Sequence, residues 1–172
     1  AEGLATGATV AENIVATRLT DKRYVRGGLL DLKAIRANAV KLIERFSVRV
    51  NGPSVPVGTL SGGNMQKFVV ARELSEQPKL LLVSQPTRGV DLGATQFIWK
   101  TIASARDAGA AVLLSSADLG ELLALSDRLL VFYRGKIVAA FRNRDYLIPA
   151  SLGTYMLGLQ TPTAAPMKAW VA

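Results

Sequence analysis

Between residues 79 and 133, short apolar runs alternate with stretches of helical periodicity. Lys79-Leu80-Leu81-Leu82-Val83 and Ala110–Ser115 are too short for stable helices and read as strands buried on both faces. A helix over about Ala94 to Ala108, stopped by Gly109, lies between them. A second, Asp118–Leu125, precedes a third strand, Arg128–Tyr133. Right-handed crossovers turn such an order into parallel strands with helices on their faces. The expected class is α/β with a parallel sheet core. The turn Arg134-Gly135-Lys136 and the run Ile137–Phe141 predict a hairpin after the third strand.

The first half reads as more helical. Val10 to Leu19 predicts a short helix, and the polar, basic Thr20–Gly28 a loop. Asp31 is placed to cap a helix whose apolar face is Ile35, Ala39, Leu42, Ile43 and Phe46. Ser47–Val50 predicts a short strand, while the Pro and Gly of Asn51–Thr59 exclude regular structure. Ser61 is placed to cap a helix to about Leu74, with Met65, Phe68, Val69 and Leu74 as its stripe. A short helix is expected from Pro149, then a loose Thr/Pro/Ala-rich tail over Gln160–Pro166.

With 172 residues the chain has one domain's length. It has no Cys and no His, which removes disulfides, zinc-thiolate sites, thiol nucleophiles and imidazole chemistry. No apolar run exceeds five residues, against the ~20 of a membrane helix, and no secretion leader is visible. The first residue is Ala, not Met, as in a chain cut from a longer one. A net charge of +8 points to anionic partners, or simply to a basic soluble surface. Its cations are scattered, as in Arg18, Lys22, Arg23 and Arg26, then Arg134, Lys136, Arg142 and Arg144, so no nucleic-acid partner is expected.

The sharpest motif is Leu60–Lys67, LSGGNMQK. Ser followed by two Gly at a helix start leaves backbone N–H groups and a positive dipole end unobstructed, as a phosphate requires. By itself the motif is also a plain capped turn. It is followed by LLLVSQPTRGVD, Leu80–Asp91, and then by Ser115-Ser116-Ala117-Asp118. In order and spacing, from about Thr59 to Val138, the chain resembles the nucleotide-binding domains of ABC transporters. LSGGNMQK resembles their signature motif, LLLVSQ their Walker B strand, PTRGVD the loop ending in the D-loop Asp, here Asp91, and Ser115–Asp118 the switch segment. The wording is most similar to the second ATPase half of bacterial double-ATPase subunits that import simple sugars or nucleosides. Ser-Gln-Pro-Thr leans toward the nucleoside branch.

The resemblance implies a partial P-loop NTPase (ABC ATPase) fold over 1–172. Residues 10–75 would form the helical subdomain, 76–146 the Walker B, D-loop and switch core, and 147–172 a C-terminal helix and tail. No G-x-x-x-x-G-K-[ST] occurs, so the phosphate-loop part that precedes the signature in the family is absent. Where the family's Walker B ends in Asp-Glu, this chain has Ser84 at the Mg²⁺ position and Gln85 at the catalytic one. Gln85 can hydrogen-bond a water but takes no proton from it. Ala117 occupies the switch-histidine position. The chain's own half-site is thus expected to be silent, and the isolated chain inactive. Ser61, Gly62, Gly63 and Gln66 would instead complete an ATP site in trans, Lys67 would help position that loop, and Asp91 would sit between halves. Asp91 also reads as a plain helix cap.

The implied cofactors are ATP and Mg²⁺, bound only with a Walker-A-bearing partner half. The implied partners are that half and membrane permease subunits, with the chain peripheral on the cytoplasmic face of the membrane and no span of its own. Two other classes fit parts of the sequence. One is the ATPase head of a DNA-repair or chromosome-maintenance protein, which should lead into heptads that are not seen. The other is a non-catalytic interaction module that kept the fold.

Overall fold

The computed structural model describes residues 3–143 and 149–159. The chain divides into two compact units, Ala1–Leu113 and Leu114–Ala172.

In the first unit, α1 (Val10–Val15) starts in a capping box. Thr9 Oγ1 accepts from Glu12 N at 3.2 Å, and Glu12 Oε2 accepts from Thr9 N at 2.7 Å. The helix stops short of Leu19 because Arg18 turns away: its guanidinium donates to Arg72 O and Ser75 Oγ. Buried Asn13 ties the preceding segment to α1. Its Nδ2 donates to the carbonyls of Ala5, Ala8 and Thr9, and its Oδ1 accepts from Ala5 N at 2.9 Å.

The segment expected as a loop over Thr20–Gly28 contains half of a hairpin. β1 (Val25–Arg26) and β2 (Leu29–Leu30) pair antiparallel around Gly27 and Gly28, whose φ values of 57° and 83° suit a tight two-residue turn. Asp31 caps α2 (Leu32–Arg45) by accepting from Ala34 N at 2.9 Å, and Ile35, Ala39, Leu42 and Phe46 are buried as their spacing predicts.

Ser47–Val50 is not a strand. Ser47, at φ 49°, reverses the chain, its N–H bonds to Glu44 O, and Val48 N reaches Ile43 O at 3.0 Å. This is a Schellman closure of α2, and buried Val48 supplies its apolar contact. Within Asn51–Thr59 a 3₁₀ turn forms at Val57–Thr59. A Cβ on Gly58 would stand 2.8 Å from Thr6 O, so only glycine fits there.

Ser61 caps α3 (Gly62–Leu74). Phe68 and Leu74 are buried as expected, but the buried face continues through Gly63 and Ala71 rather than Val69. β3 (Leu80–Ser84), α4 (Leu92–Asp107) and β4 (Ala111–Ser115) follow. β3 pairs with β4, and Ala111 N donates to Lys79 O at 2.9 Å, so both strands start at the same end and run parallel. Neither is buried on both faces. Leu81 is 9% exposed, but Leu80, Leu82 and Leu113 are 58%, 68% and 61% exposed. Burial on both faces needs a second covering layer, which the described residues do not supply to these leucines.

In the second unit, Asp118 caps α5 (Leu119–Leu125), accepting from Glu121 N at 3.2 Å. β5 (Arg128–Tyr133) and β6 (Lys136–Arg142) form the expected hairpin, with Arg134 and Gly135 at φ 46° and 75° in its turn. Among the described residues β5 pairs with β6 alone, so the parallel sheet expected over 79–133 comprises β3 and β4. Leu129, Val131 and Ala139 pack with Leu152 of α6 (Pro149–Met156). The tail expected at Gln160–Pro166 lies outside the described residues. No helix among the described residues is long and apolar enough to cross a membrane.

Candidate functional site

At the start of α3, Ser61 is extended (φ −63°, ψ 156°), and its Oγ accepts from Asn64 N at 3.4 Å and from Asn64 Nδ2 at 2.9 Å. Asn64 Oδ1 in turn accepts from Arg49 N at 2.9 Å. Asn64 therefore clamps the Ser61 turn to the segment before it. The sequence reading did not single out this residue, although Ser-x-x-Asn at a helix start is a visible capping pattern.

Gly62 is exposed and Gly63 buried. A Cβ on Gly62 would stand 3.7 Å from Gly89 O. One on Gly63 would stand 3.1 Å from Asp91 Oδ2 and 3.2 Å from Ala94 Cβ. The signature turn and the Gly89–Asp91 loop thus form one patch, with glycine needed where the two pack. Asp91 serves as the cap of α4, its Oδ1 accepting from Ala94 N at 2.8 Å, and it also borders Gly63. Of the two expectations for Asp91, the helix cap is the one seen here. Gln66 is half-buried on α3, and the neighbouring Lys67 ammonium lies 4.9 Å from the centre of the Phe97 ring on α4.

Ser84 is exposed at the end of β3. Gln85 follows at φ 49°, a backbone region side chains seldom adopt, and its carbonyl accepts from Arg88 N at 3.3 Å. Buried Pro86 and the turn Thr87–Gly89 then carry the chain to Asp91. Ser84 and Gln85 therefore begin the loop whose far end contacts the signature. Ala117 belongs to the second unit and is exposed in the turn between β4 and α5.

The first N–H groups of a helix have no intrahelical partner. At α3, Asn64 N is met by Ser61 Oγ, while Gly62 presents bare backbone to solvent. That arrangement fits a phosphate oxygen. The residues present do not fit a resident Mg²⁺. The strand-end position carries a hydroxyl and an amide, and among the described residues no group of three or more His, Cys, Asp or Glu could hold a metal ion.

A nucleoside import ATP-binding protein of Lactococcus lactis subsp. cremoris is 46% identical over 157 residues, covering 91% of this chain and 31% of the relative. A guanosine import ATP-binding protein of Bacillus subtilis is 38% identical over 156 residues, 91% of this chain and 30% of the relative. A post-hydrolysis ATP-binding cassette bound to ADP and Pi matches with a TM-score of 0.66 at 21% identity, over 83% of this chain and 60% of that chain. The chain is a partial ATPase domain of the ABC family. It spans about 30% of the length of these import relatives. This ABC ATPase segment packs the Ser61–Gly63 turn against the Gly89–Asp91 loop, and has no G-x-x-x-x-G-K-[ST] in its 172 residues. No family model matches the chain.

Proposed function

We propose that this ABC ATPase segment works in the ATP-binding subunit of an importer for simple sugars or nucleosides. Its role there is to lend Ser61, Gly62 and Gly63 to ATP held by another ATPase half, with Gln66 supporting the turn and Asp91 at the junction. The observation that carries this reading is the exposed Gly62 at the start of α3, bare backbone at a helix N-terminus packed on the Gly89–Asp91 loop. Ser84, Gln85 and Ala117 support a silent half-site: none of them supplies a carboxylate for the metal, a base for water or a ring for the γ-phosphate. ATP and Mg²⁺ are then held by the partner half, and the subunit sits on the cytoplasmic face of the membrane against permease subunits. Within this assignment, 10–75 is the helical subdomain and 76–146 the core that follows it.

Relatives named for nucleoside and guanosine import favour a nucleoside as the solute, while others named for ribose and glucose import keep the sugar class in view. Uptake of labelled guanosine and ribose by the full subunit with its permease tests this. Guanosine uptake abolished by Ser61→Ala supports the reading, and transport of neither solute overturns it. The lost carboxylates at 84 and 85 also favour a second reading, a module that pairs with another half without promoting hydrolysis. An unchanged ATPase rate on adding this segment to that half would favour it.

A further inference from the structure

We propose that the β1–β2 hairpin and the first turn of α2 form a lipid-contact surface that inserts leucines at an anionic membrane face. Leu29 and Leu30 of β2 and Leu32 at the start of α2 are 77%, 42% and 60% exposed within four residues. Singly exposed leucines are ordinary; three within four residues are not, and as neighbours on β2 Leu29 and Leu30 point to opposite faces of the hairpin. Antiparallel register pairs Arg26 with Leu29, so a cation and a leucine share one face of the hairpin. Lys33 and Arg36 are exposed on the first turns of α2, where Arg36 lies one turn beyond Leu32. Lys33 and Arg36 have no carboxylate within ion-pair distance among the described residues, while Arg26 pairs with Asp31 at 3.1 Å.

The patch is presented on a fixed base. Tyr24 is 3% exposed, its hydroxyl accepts from Asn38 Nδ2 at 2.8 Å, and its carbonyl accepts from Asp31 N at 2.8 Å. Asp31 caps α2 at the same point. The leucines therefore project from a hairpin whose ends are tied to a buried tyrosine and a helix start, and docking them requires little new ordering. Apolar side chains rimmed by cations match the chemistry of an interface with anionic headgroups. An acidic protein segment is the competing occupant. Leu29 and Leu30, exposed on opposite faces of β2 just after the Gly27–Gly28 turn, suit immersion in a lipid interface better than a one-sided seat on a protein segment.

The test is co-sedimentation of the full chain with phosphatidylcholine vesicles, with and without phosphatidylglycerol. Binding is expected only with the anionic lipid, and it should weaken as salt rises. Leu29→Ser with Leu32→Ser should lower it about tenfold or more, as loss of two inserted leucines implies. Lys33→Glu with Arg36→Glu should do likewise, with the far-ultraviolet circular dichroism of both variants unchanged. Leu82→Ser, on the exposed face of β3, is the control and should leave binding within about twofold, because that leucine is not in the patch. Equal binding to both vesicle types would overturn the proposal. So would unchanged binding of the Leu29/Leu32 variant, or loss of binding in the Leu82 control alone.

Discussion

Gly63 and Asp91 face each other so closely that a methyl group on Gly63 would meet Asp91 Oδ2 at 3.1 Å. The Ser61–Gly63 turn and the Gly89–Asp91 loop lie side by side although far apart in sequence, with little room for a side chain at Gly63. Gly63→Ala therefore tests packing: it should destabilise the fold by about 0.5–2 kcal/mol, overpacking set against the helix propensity alanine brings. Gly62→Ala is the companion. Its Cβ would meet Gly89 O only at 3.7 Å, so stability should be unchanged or rise by a few tenths of a kcal/mol. Urea denaturation of both variants checks the order.

Asn13 fixes the chain before α1 through three donated bonds and one accepted bond at a site 1% exposed. Asn13→Ala leaves Ala5 N without its partner, while the three carbonyls keep backbone donors, and should cost about 1–3 kcal/mol. Asn13→Asp should be at least as damaging, because a carboxylate would face those carbonyls. Thermal unfolding of the two variants measures it, and a loss below about 0.5 kcal/mol would show the network to be dispensable.

Arg23 donates to both Asp21 carboxylate oxygens and to Glu76. The hydrogen bond from Arg23 holds the Asp21 carboxyl down to about 2, from an ordinary 3.8. A depressed carboxyl contributes stability that is present above its unfolded pKa and lost as pH falls through the folded one. This contribution is therefore full at neutral pH and fades between about pH 4 and 2. Arg23→Ala should return the Asp21 midpoint toward 3.8 in a carboxyl-detected NMR titration. An unmoved midpoint would assign the shift to another group.

Local signals were read well from the sequence. Asp31, Ser61 and Asp91 cap helices as expected, because a cap involves residues only three apart, while Asp118, expected as the first residue of its helix, caps it. The strand expected at Ser47–Val50 failed for a local reason of a different kind. Ser47 takes the left-handed conformation usually left to glycine, so the chain gave no glycine to mark the helix end. The burial of Leu80, Leu82 and Leu113 was not legible, because a strand's second face depends on elements far away in sequence. The candidate site divided in the same way. Ser61, Gly62 and Gly63 were visible as a motif, but the pairing of Gly63 with Asp91 and the Asn64–Arg49 clamp are tertiary and needed coordinates.

In the proposed function this segment acts on nucleotide through the Ser61–Gly63 turn and not through its own strand end. The direct measurement is the ATPase rate of the full subunit with its permease, comparing Gly62→Asp with Gln85→Ala. Gly62→Asp places a carboxylate where a polyphosphate would approach. Like charges about 4 Å apart cost on the order of 1 kcal/mol even in water, and more in a closed site. The rate should fall about tenfold or more, while Gly62→Ala separates charge from bulk and Gln85→Ala should stay within about threefold of the parent. A loss at Gln85 equal to or greater than that at Gly62 would contradict the account, because this half would then be doing its own chemistry.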